Sequence, residues 1–182
     1  MATDTISRSL HDVGLAAWFG GTLANAVALN AAAAEADTAN GTGRVANTGW
    51  NRWTPVNAAA IGAHLAGSVG QLVGNKSRLG AQQGVGAMAL TKTGLTVATL
   101  AVTGYSRLLG RKVARDIAVP ALAGTEPAAS TPGDVSKAQK QLTALQWVVP
   151  ALTGALIVLS AFAGEQQRAS EVKKGLLSRF TG

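Results

Sequence analysis

The stretch Gln141–Gly164, QLTALQWVVPALTGALIVLSAFAG, contains 24 consecutive residues without a charge. Lys140 and Glu165 stand directly on either side of it. The hydrocarbon core of a bilayer is about 30 Å thick, and a helix of roughly 20 mostly apolar residues crosses it. The stretch therefore predicts a membrane-spanning helix.

Three further stretches have the same character. Residues 13–34 and 53–75 are uncharged, whereas residues 79–106 contain one charge, Lys92, near their middle. Dividing the last stretch at Lys92 would leave two pieces that are each too short to cross a bilayer, so we interpret it as one span. The sequence thus predicts an all-α membrane protein, a four-helix transmembrane bundle in one domain, residues 1–182. The predicted spans are residues 13–34, 54–75, 82–106 and 141–164, with a polar linker at 116–133 and a basic tail at 165–182.

The composition agrees with this class and excludes several others. Only 14% of the residues are charged, 47% are hydrophobic, and 36 alanines stand beside 22 glycines. Intrinsic disorder requires low hydrophobicity and much charge. Disulfide scaffolds, cysteine-ligated zinc sites, iron–sulfur clusters and c-type haem attachment require cysteine, which the sequence lacks. We expect no cofactor and no metal.

Two proline-containing segments predict helix starts. Thr54-Pro55 fits an N-cap followed by proline at the first helical position, where its missing N–H costs nothing. Residues 131–134, Thr-Pro-Gly-Asp, predict that the last helix begins well before its hydrophobic part. An alternative for the first span is a signal peptide cleaved in the alanine run of residues 30–36. Its acidic start and its length argue against cleavage.

The charges do not fix the orientation, whereas the aromatic residues favour one interface. Of the 16 Lys and Arg, seven are predicted on the side of the two termini, eight on the other side, and Lys92 lies within a span. The positive-inside rule needs a larger asymmetry. Amphipathic rings prefer the headgroup level, and four of them map to the interface of the long loops: Trp50, Trp53, Tyr105 and Trp147.

Small residues predict how the helices pack. Lipid is as apolar as leucine, so close backbone contact between small residues brings membrane helices together. The second predicted span carries such residues at every fourth position, ending in GxxxG: Ala58, Gly62, Ala66, Gly70 and Gly74. We call this set the small-residue stripe. The pattern serves both packing inside one chain, which we favour, and contact with a second copy or another subunit.

Polar residues within the spans predict one layer near the middle of the membrane. Asn25, Asn30, His64 and Lys92 are costly there and therefore informative. At 1.5 Å per residue, four side chains fall at a similar depth: Asn25, His64, Lys92 and Thr153. This layer predicts either a proton or substrate relay, or hydrogen bonds between helices. His11 is predicted at the interface, so ligation of a haem by His11 and His64 is not expected, and the spans hold too few ligands or nucleophiles for zinc or covalent catalysis.

A basic segment follows the third span. Arg107, Arg111 and Arg115 recur at every fourth position, with Lys112 beside them, and predict a helix that continues into the lipid headgroups. Such clusters attract anionic lipid. The net charge of +7 is divided between both predicted faces, so lipid and not nucleic acid is the expected partner.

Three strings of the sequence resemble a family of small, uncharacterised four-span membrane proteins from high-GC actinobacteria. These strings are Gly49–Asn57 (GWNRWTPVN), Ala60–His64 (AIGAH) and Gly164–Arg168 (GEQQR). The resemblance covers most of the chain and implies a multi-pass cell-membrane protein, but no activity. Two hypotheses of function follow from the residues: an accessory or assembly subunit of a larger membrane complex, with a membrane-protein partner or a second copy, or a small transporter or conduit that uses the polar layer. An enzyme is the weakest interpretation.

Overall fold

Helix formation follows the uncharged stretches but extends well beyond them. The computed structural model describes residues 2–74, 76 and 85–165. Its elements, in chain order, are α1 (Ala2–Ala24), a π-helical turn (Asn25–Leu29), α2 (Asn30–Ala34), α3 (Ala39–Gly74), α4 (Val85–Val113), β1 (Ala121–Ala123), β2 (Glu126–Pro127) and α5 (Gly133–Glu165). The predicted turn between the second and third spans, apart from Lys76, and the predicted basic tail beyond Glu165 lie outside the described residues.

The all-α class is confirmed, and two helical segments of the described chain are long and apolar enough to cross a membrane. They are Thr5–Ala34 and Gly133–Glu165. The other two helices are also long, at 36 and 29 residues. Polar residues lower their mean hydropathy, since α3 contains His64 and Gln71 and α4 contains Lys92. Length and composition thus support membrane insertion for the first and last helices.

The prediction that Thr54-Pro55 begins a helix is wrong. α3 begins at Ala39 and contains Pro55 in its interior. Residues before Pro55 are held in the helix by contacts with the segment that follows α4: Asn40 Nδ2 donates to the carbonyl of Ala118 at 2.7 Å, and Asn47 Nδ2 donates to the carbonyl of Ile117 at 3.2 Å. The region expected as a loop before residue 54 is therefore helical, because it is fixed by a segment that is distant in sequence.

The predicted linker at 116–133 contains a small antiparallel hairpin. β1 pairs with β2 through Ala121 with Pro127 and Ala123 with Glu126. The side chain of Ala121 is buried, and Thr131 Oγ1 donates to the carbonyl of Pro120 at 2.6 Å. α5 then begins at Gly133, which confirms the start predicted from residues 131–134.

The described residues bury polar side chains and expose large apolar ones. Twelve polar residues are buried beside twelve hydrophobic ones, whereas Val13, Leu90 and Phe162 are 68%, 76% and 59% exposed. A water-soluble domain normally shows the opposite distribution. The apolar core is correspondingly small and is built from the middle of α1, α3 and α5: Leu15, Trp18, Ala60, Val149 and Leu156.

Candidate functional site

Glycines bring α1 and α3 into backbone contact. A Cβ atom at Gly14 would come within 2.5 Å of the carbonyl oxygen of Ala60 and of the amide nitrogen of His64. A Cβ atom at Gly67 would come within 2.3 Å of the amide nitrogen of His11. Only glycine permits this separation. Because the two helices run antiparallel, this register places His11 beside His64.

The rings of His11 and His64 form a buried pair. Their centroids are 4.5 Å apart and their planes are tilted by 47°, and the residues are 2% and 1% exposed. The Nδ1 atom of His64 lies 3.3 Å from the carbonyl oxygen of His11, so Nδ1 carries the hydrogen and donates. The Nε2 atom of the neutral His64 ring is then a buried acceptor, and it has no hydrogen-bond partner.

Asp12 and Lys92 extend this pair. Asp12 Oδ1 lies 2.7 Å from His11 Nδ1, and Lys92 Nζ lies 3.4 Å from His11 Nε2. Both contacts are satisfied when His11 Nδ1 donates to the carboxylate and Nε2 accepts from the ammonium. The side chain of Asp12 is 69% exposed and that of His11 only 3%. The four residues, which we call the histidine cluster, therefore lead from the surface of the chain to its interior.

The prediction that His11 lies at the interface, far in depth from His64, is wrong. α1 begins at Ala2 and not near residue 13, and glycine contacts set its register against α3. The sequence does carry a signal for this contact. Gly14 follows His11 by three residues and Gly67 follows His64 by three, so each histidine shares a helix face with a glycine.

The structure brings Lys92 and His64 to the same residue, His11, but does not bring Asn25 or Thr153 there. On α1, Gly21 lies against the ring of Trp53, and further along, Leu29 lies against Gly49. Asn25 lies between Gly21 and Leu29 in sequence, so it is beside a part of α3 that is roughly three turns away from His64. Thr153 Oγ1 donates to the carbonyl of Val149 in its own helix at 2.9 Å. The layer inferred from depth is thus replaced by the histidine cluster.

Asn30 is the polar residue that joins the most elements. Its Nδ2 donates to Gln146 Oε1 of α5 at 2.6 Å, and its Oδ1 accepts from Trp50 Nε1 of α3 at 3.0 Å. Its carbonyl oxygen accepts from the amide of Gly124, in the hairpin turn, at 3.2 Å. The sequence marks Asn30 as polar within a span but gives no sign of these partners, because they lie in three other elements.

The predicted interface aromatics divide into two pairs. Trp50 binds Asn30, and Trp53 packs its ring onto α1 at Gly21. Tyr105 and Trp147 are 48% and 50% exposed, and the Tyr105 hydroxyl donates to Gln141. The first pair joins helices, whereas the second faces outward.

The four residues of the predicted basic segment also differ in their surroundings. Arg107 Nη1 donates to Asn51 Oδ1 of α3 at 3.5 Å, and Lys112 Nζ lies 3.3 Å from Asp134 Oδ2. Arg111 and Arg115 are exposed, and Arg115 lies beyond the end of α4. Two of the four basic residues therefore contact the protein, and two remain on its surface.

Most of the small-residue stripe does not face α1, although a Cβ atom at Gly70 would lie 2.2 Å from Ser7 Oγ of that helix. Ala58, Gly62, Ala66 and Gly74 are exposed and Gly70 is half-buried, whereas Ala60, His64 and Gly67 are the buried positions of this part of α3. A Cβ atom at Gly62 would meet nothing within 4 Å. Most of the stripe is therefore uncovered by the helices that the structure describes.

Two observations limit the chemistry of the histidine cluster. Within the described residues no group of three or more His, Cys, Asp or Glu could hold a metal ion. A cavity between α3, α4 and α5 is lined by residues that include neither His64 nor Lys92. The cluster can accept and pass a proton, but this cavity does not lead to it.

Comparison with protein-family models, curated proteins and solved structures found no match.

Proposed function

We propose that this chain is a four-span cell-membrane protein that serves as an accessory or assembly subunit of a larger membrane complex. The observation that carries the proposal is the uncovered small-residue stripe on α3. Lipid chains gain little from contact with such a flat face, whereas another helix can approach it closely. The partner is a membrane helix of another subunit or of a second copy.

The outward-facing apolar side chains support the four-span part of the proposal. They occur on α3 and α4 as well as on the two more apolar helices, for example Val69 at 61% and Val97 at 60% exposure. Helices that expose such residues along their length need an apolar solvent. Polar residues of α3 and α4 are accommodated because several of them, including His64 and Thr99, face the protein interior.

The absence of cysteine makes the topology directly testable. Single cysteines replace Glu35, Lys76 and Glu126 in the full chain, and a membrane-impermeant maleimide is added to intact cells. Four spans place Glu35→Cys and Glu126→Cys on one side and Lys76→Cys on the other. If only the first and last helices cross the membrane, Lys76→Cys reacts on the same side as Glu126→Cys, and the four-span proposal fails.

Purification in mild detergent followed by mass spectrometry tests whether a partner binds the small-residue stripe. We expect the full chain to carry a stoichiometric membrane protein or a second copy, and Gly62→Leu with Ala66→Leu to release it. Gly94→Leu is the matched control, since Gly94 is also exposed with nothing within 4 Å but lies on α4. A stable monomer that is unaffected by the stripe variants would contradict the proposal.

The histidine cluster favours a second function, a small transporter or proton conduit. Asp12, His11 and Lys92 form a continuous polar connection from an exposed carboxylate to a residue of α4. Proton flux into liposomes that contain the full chain tests it, with Lys92→Met as the variant. Flux that Lys92→Met abolishes supports the conduit. Equal flux with wild type and variant eliminates it and leaves the accessory role.

A further inference from the structure

A cavity of about 350 Å³ separates α3 from α4 on the side of α5. The close helix contacts of the described chain are α1 with α3, α4 with α5, and α1 with α5, so α3 and α4 do not pack closely on each other. The lining runs from Asn47 to Ile61 on α3 and from Leu100 to Ala114 on α4. Each of these segments is about 20 Å long at 1.5 Å per residue. The cavity is therefore long and narrow, with a volume within the range of small-molecule sites.

The wall of the cavity is apolar for most of its length and carries one charge. Arg107 is the only charged residue of the lining, which contains no Asp or Glu. Side chains from three helices form the apolar part: Ile61, Leu100, Leu142, Leu145 and Val149. The cavity thus offers one cation midway along its lining on α4, at the start of an apolar passage toward Leu100.

Four buried polar atoms of the wall have no hydrogen-bond partner. They are Trp53 Nε1, Asn57 Oδ1, Thr103 Oγ1 and Arg107 Nε, and they make up four of the seven such atoms in the described part of the chain. A buried polar group without a partner costs free energy, and native proteins seldom leave one unpaired. Their concentration around one cavity indicates a partner that occupies it.

These four residues lie within about one turn of one another along the two helices. The contact between Arg107 Nη1 and Asn51 Oδ1 joins α4 to α3 near Trp53. Thr103 and Asn57 each lie one turn away, toward the deeper part of both helices. The unpaired groups are therefore arranged across the gap between α3 and α4, with the apolar passage beyond them.

We propose that the cavity binds a single-chain anionic amphiphile, an acyl chain whose carboxylate or phosphate head lies between Trp53 and Arg107. Such a head accepts hydrogen bonds from the indole of Trp53, the hydroxyl of Thr103 and the guanidinium of Arg107. Asn57 Oδ1 is itself an acceptor, so it pairs with a donor of the head, a protonated acid or a hydroxyl group. The acyl chain fills the passage toward Ile61 and Leu100. The ligand is either a free fatty acid or a lysophospholipid, and its cavity shares one residue, Ala58, with the small-residue stripe.

Quenching of tryptophan fluorescence tests the proposal, because Trp53 belongs to the wall. The full chain in detergent is titrated with a long-chain fatty acid that is brominated near its carboxyl end, and unlabelled oleic acid, lysophosphatidylglycerol and oleyl alcohol compete. We expect saturable quenching that the two anionic ligands displace and the alcohol displaces at least about tenfold less well, the size of one charge-assisted hydrogen bond. Stronger competition by one anionic ligand identifies the source of the head group.

Matched variants separate the cavity from simple partitioning into the micelle. Gly104 and Gly110 line the cavity, and a Cβ atom at either meets nothing within 4 Å, so Gly104→Leu and Gly110→Leu extend into open space without a clash. We expect these variants and Arg107→Met to weaken binding about tenfold, and Gly94→Leu and Arg111→Met, which lie outside the lining, to leave it unchanged. Equal quenching in all five variants would overturn the proposal, as would equal competition by the alcohol.

Discussion

The two sides of α3 are built from similar small residues and behave in opposite ways. Toward α1, Gly67 lies so close to the backbone of His11 that no side chain fits between them. On its outer face, Gly62 meets nothing within 4 Å, and the gap between α3 and α4 holds a cavity. The difference lies in what stands opposite: Gly14 and Gly67 meet backbone between α1 and α3, whereas the gap toward α4 is lined by longer side chains, among them Asn57 and Arg107. Small residues therefore permit close packing, and the facing residues decide whether it occurs.

Alanine substitutions on the two faces of α3 test this contrast, and we expect them to give the largest change in the free energy of unfolding. In Gly67→Ala the new Cβ would lie 2.3 Å from His11 N and 2.5 Å from Ser7 O, both backbone atoms of α1. We expect α1 to be displaced and the free energy of unfolding to fall by about 2–3 kcal/mol. Gly62→Ala is the matched control and should gain up to about 1 kcal/mol, since alanine favours helix. Thermal unfolding in one detergent, followed by circular dichroism, measures both. Equal midpoints would remove the distinction between the two faces.

Asn30→Ala tests whether hydrogen bonds, in addition to close glycine contacts, stabilise the packing of α3 on the N-terminal helices. The substitution removes the hydrogen bonds to Gln146 and Trp50, which join α2 to α5 and α3. At about 1 kcal/mol for each bond, we expect a loss of about 2 kcal/mol in the free energy of unfolding. Asn25→Ala is the control, because neither bond involves Asn25. A loss of the same size in both variants would show that the bonds of Asn30 contribute nothing specific.

Lys92→Met tests whether the contact between Lys92 of α4 and His11 of α1 stabilises the fold. The ammonium is half-buried beside His11, and methionine keeps the length of the side chain without the charge. Replacing a buried charge by an apolar group of similar size is often neutral or stabilising. We expect the free energy of unfolding to rise by about 1 kcal/mol. A clear decrease in the unfolding midpoint would mean instead that the contact between Lys92 and His11 holds α4 in place.

For the ion pair between Lys112 and Asp134, at the other end of α4, we expect the smallest change in stability. The hydrogen bond from Lys112 lowers the pKa of Asp134 from its ordinary value. A lowered pKa in the folded state contributes stability above the ordinary pKa of Asp, about 4, and that contribution is lost as the pH falls through the lowered value. Comparing unfolding midpoints of wild type and Lys112→Met at neutral pH and at about pH 2, in low salt, should show a difference that shrinks in acid. A difference independent of pH would rule out the ion pair as its source.

The sequence predicts where helices form better than it predicts which faces meet. Uncharged stretches and the Thr-Pro-Gly-Asp segment locate the helices and the start of α5, because helix length and capping are local properties. The early start of α3 depends on bonds from Asn40 and Asn47 to residues far along the chain. The contact of His11 with His64 depends on a register that Gly14 and Gly67 set across two helices. An apolar pattern carries no information about such a register, so depth arithmetic placed Asn25 at the level of His64, from which it lies roughly three turns away.

The length of α3 has a mechanical consequence. Its 36 residues form a rod of about 54 Å, against about 30 Å for the hydrocarbon core. At one end Asn40 and Asn47 donate to carbonyl groups of the segment before the hairpin. Farther along, α1 lies against α3 at Trp53, Ala60 and Gly67. A displacement of the hairpin would therefore either strain these helix contacts or carry α1 and α3 with it as one unit.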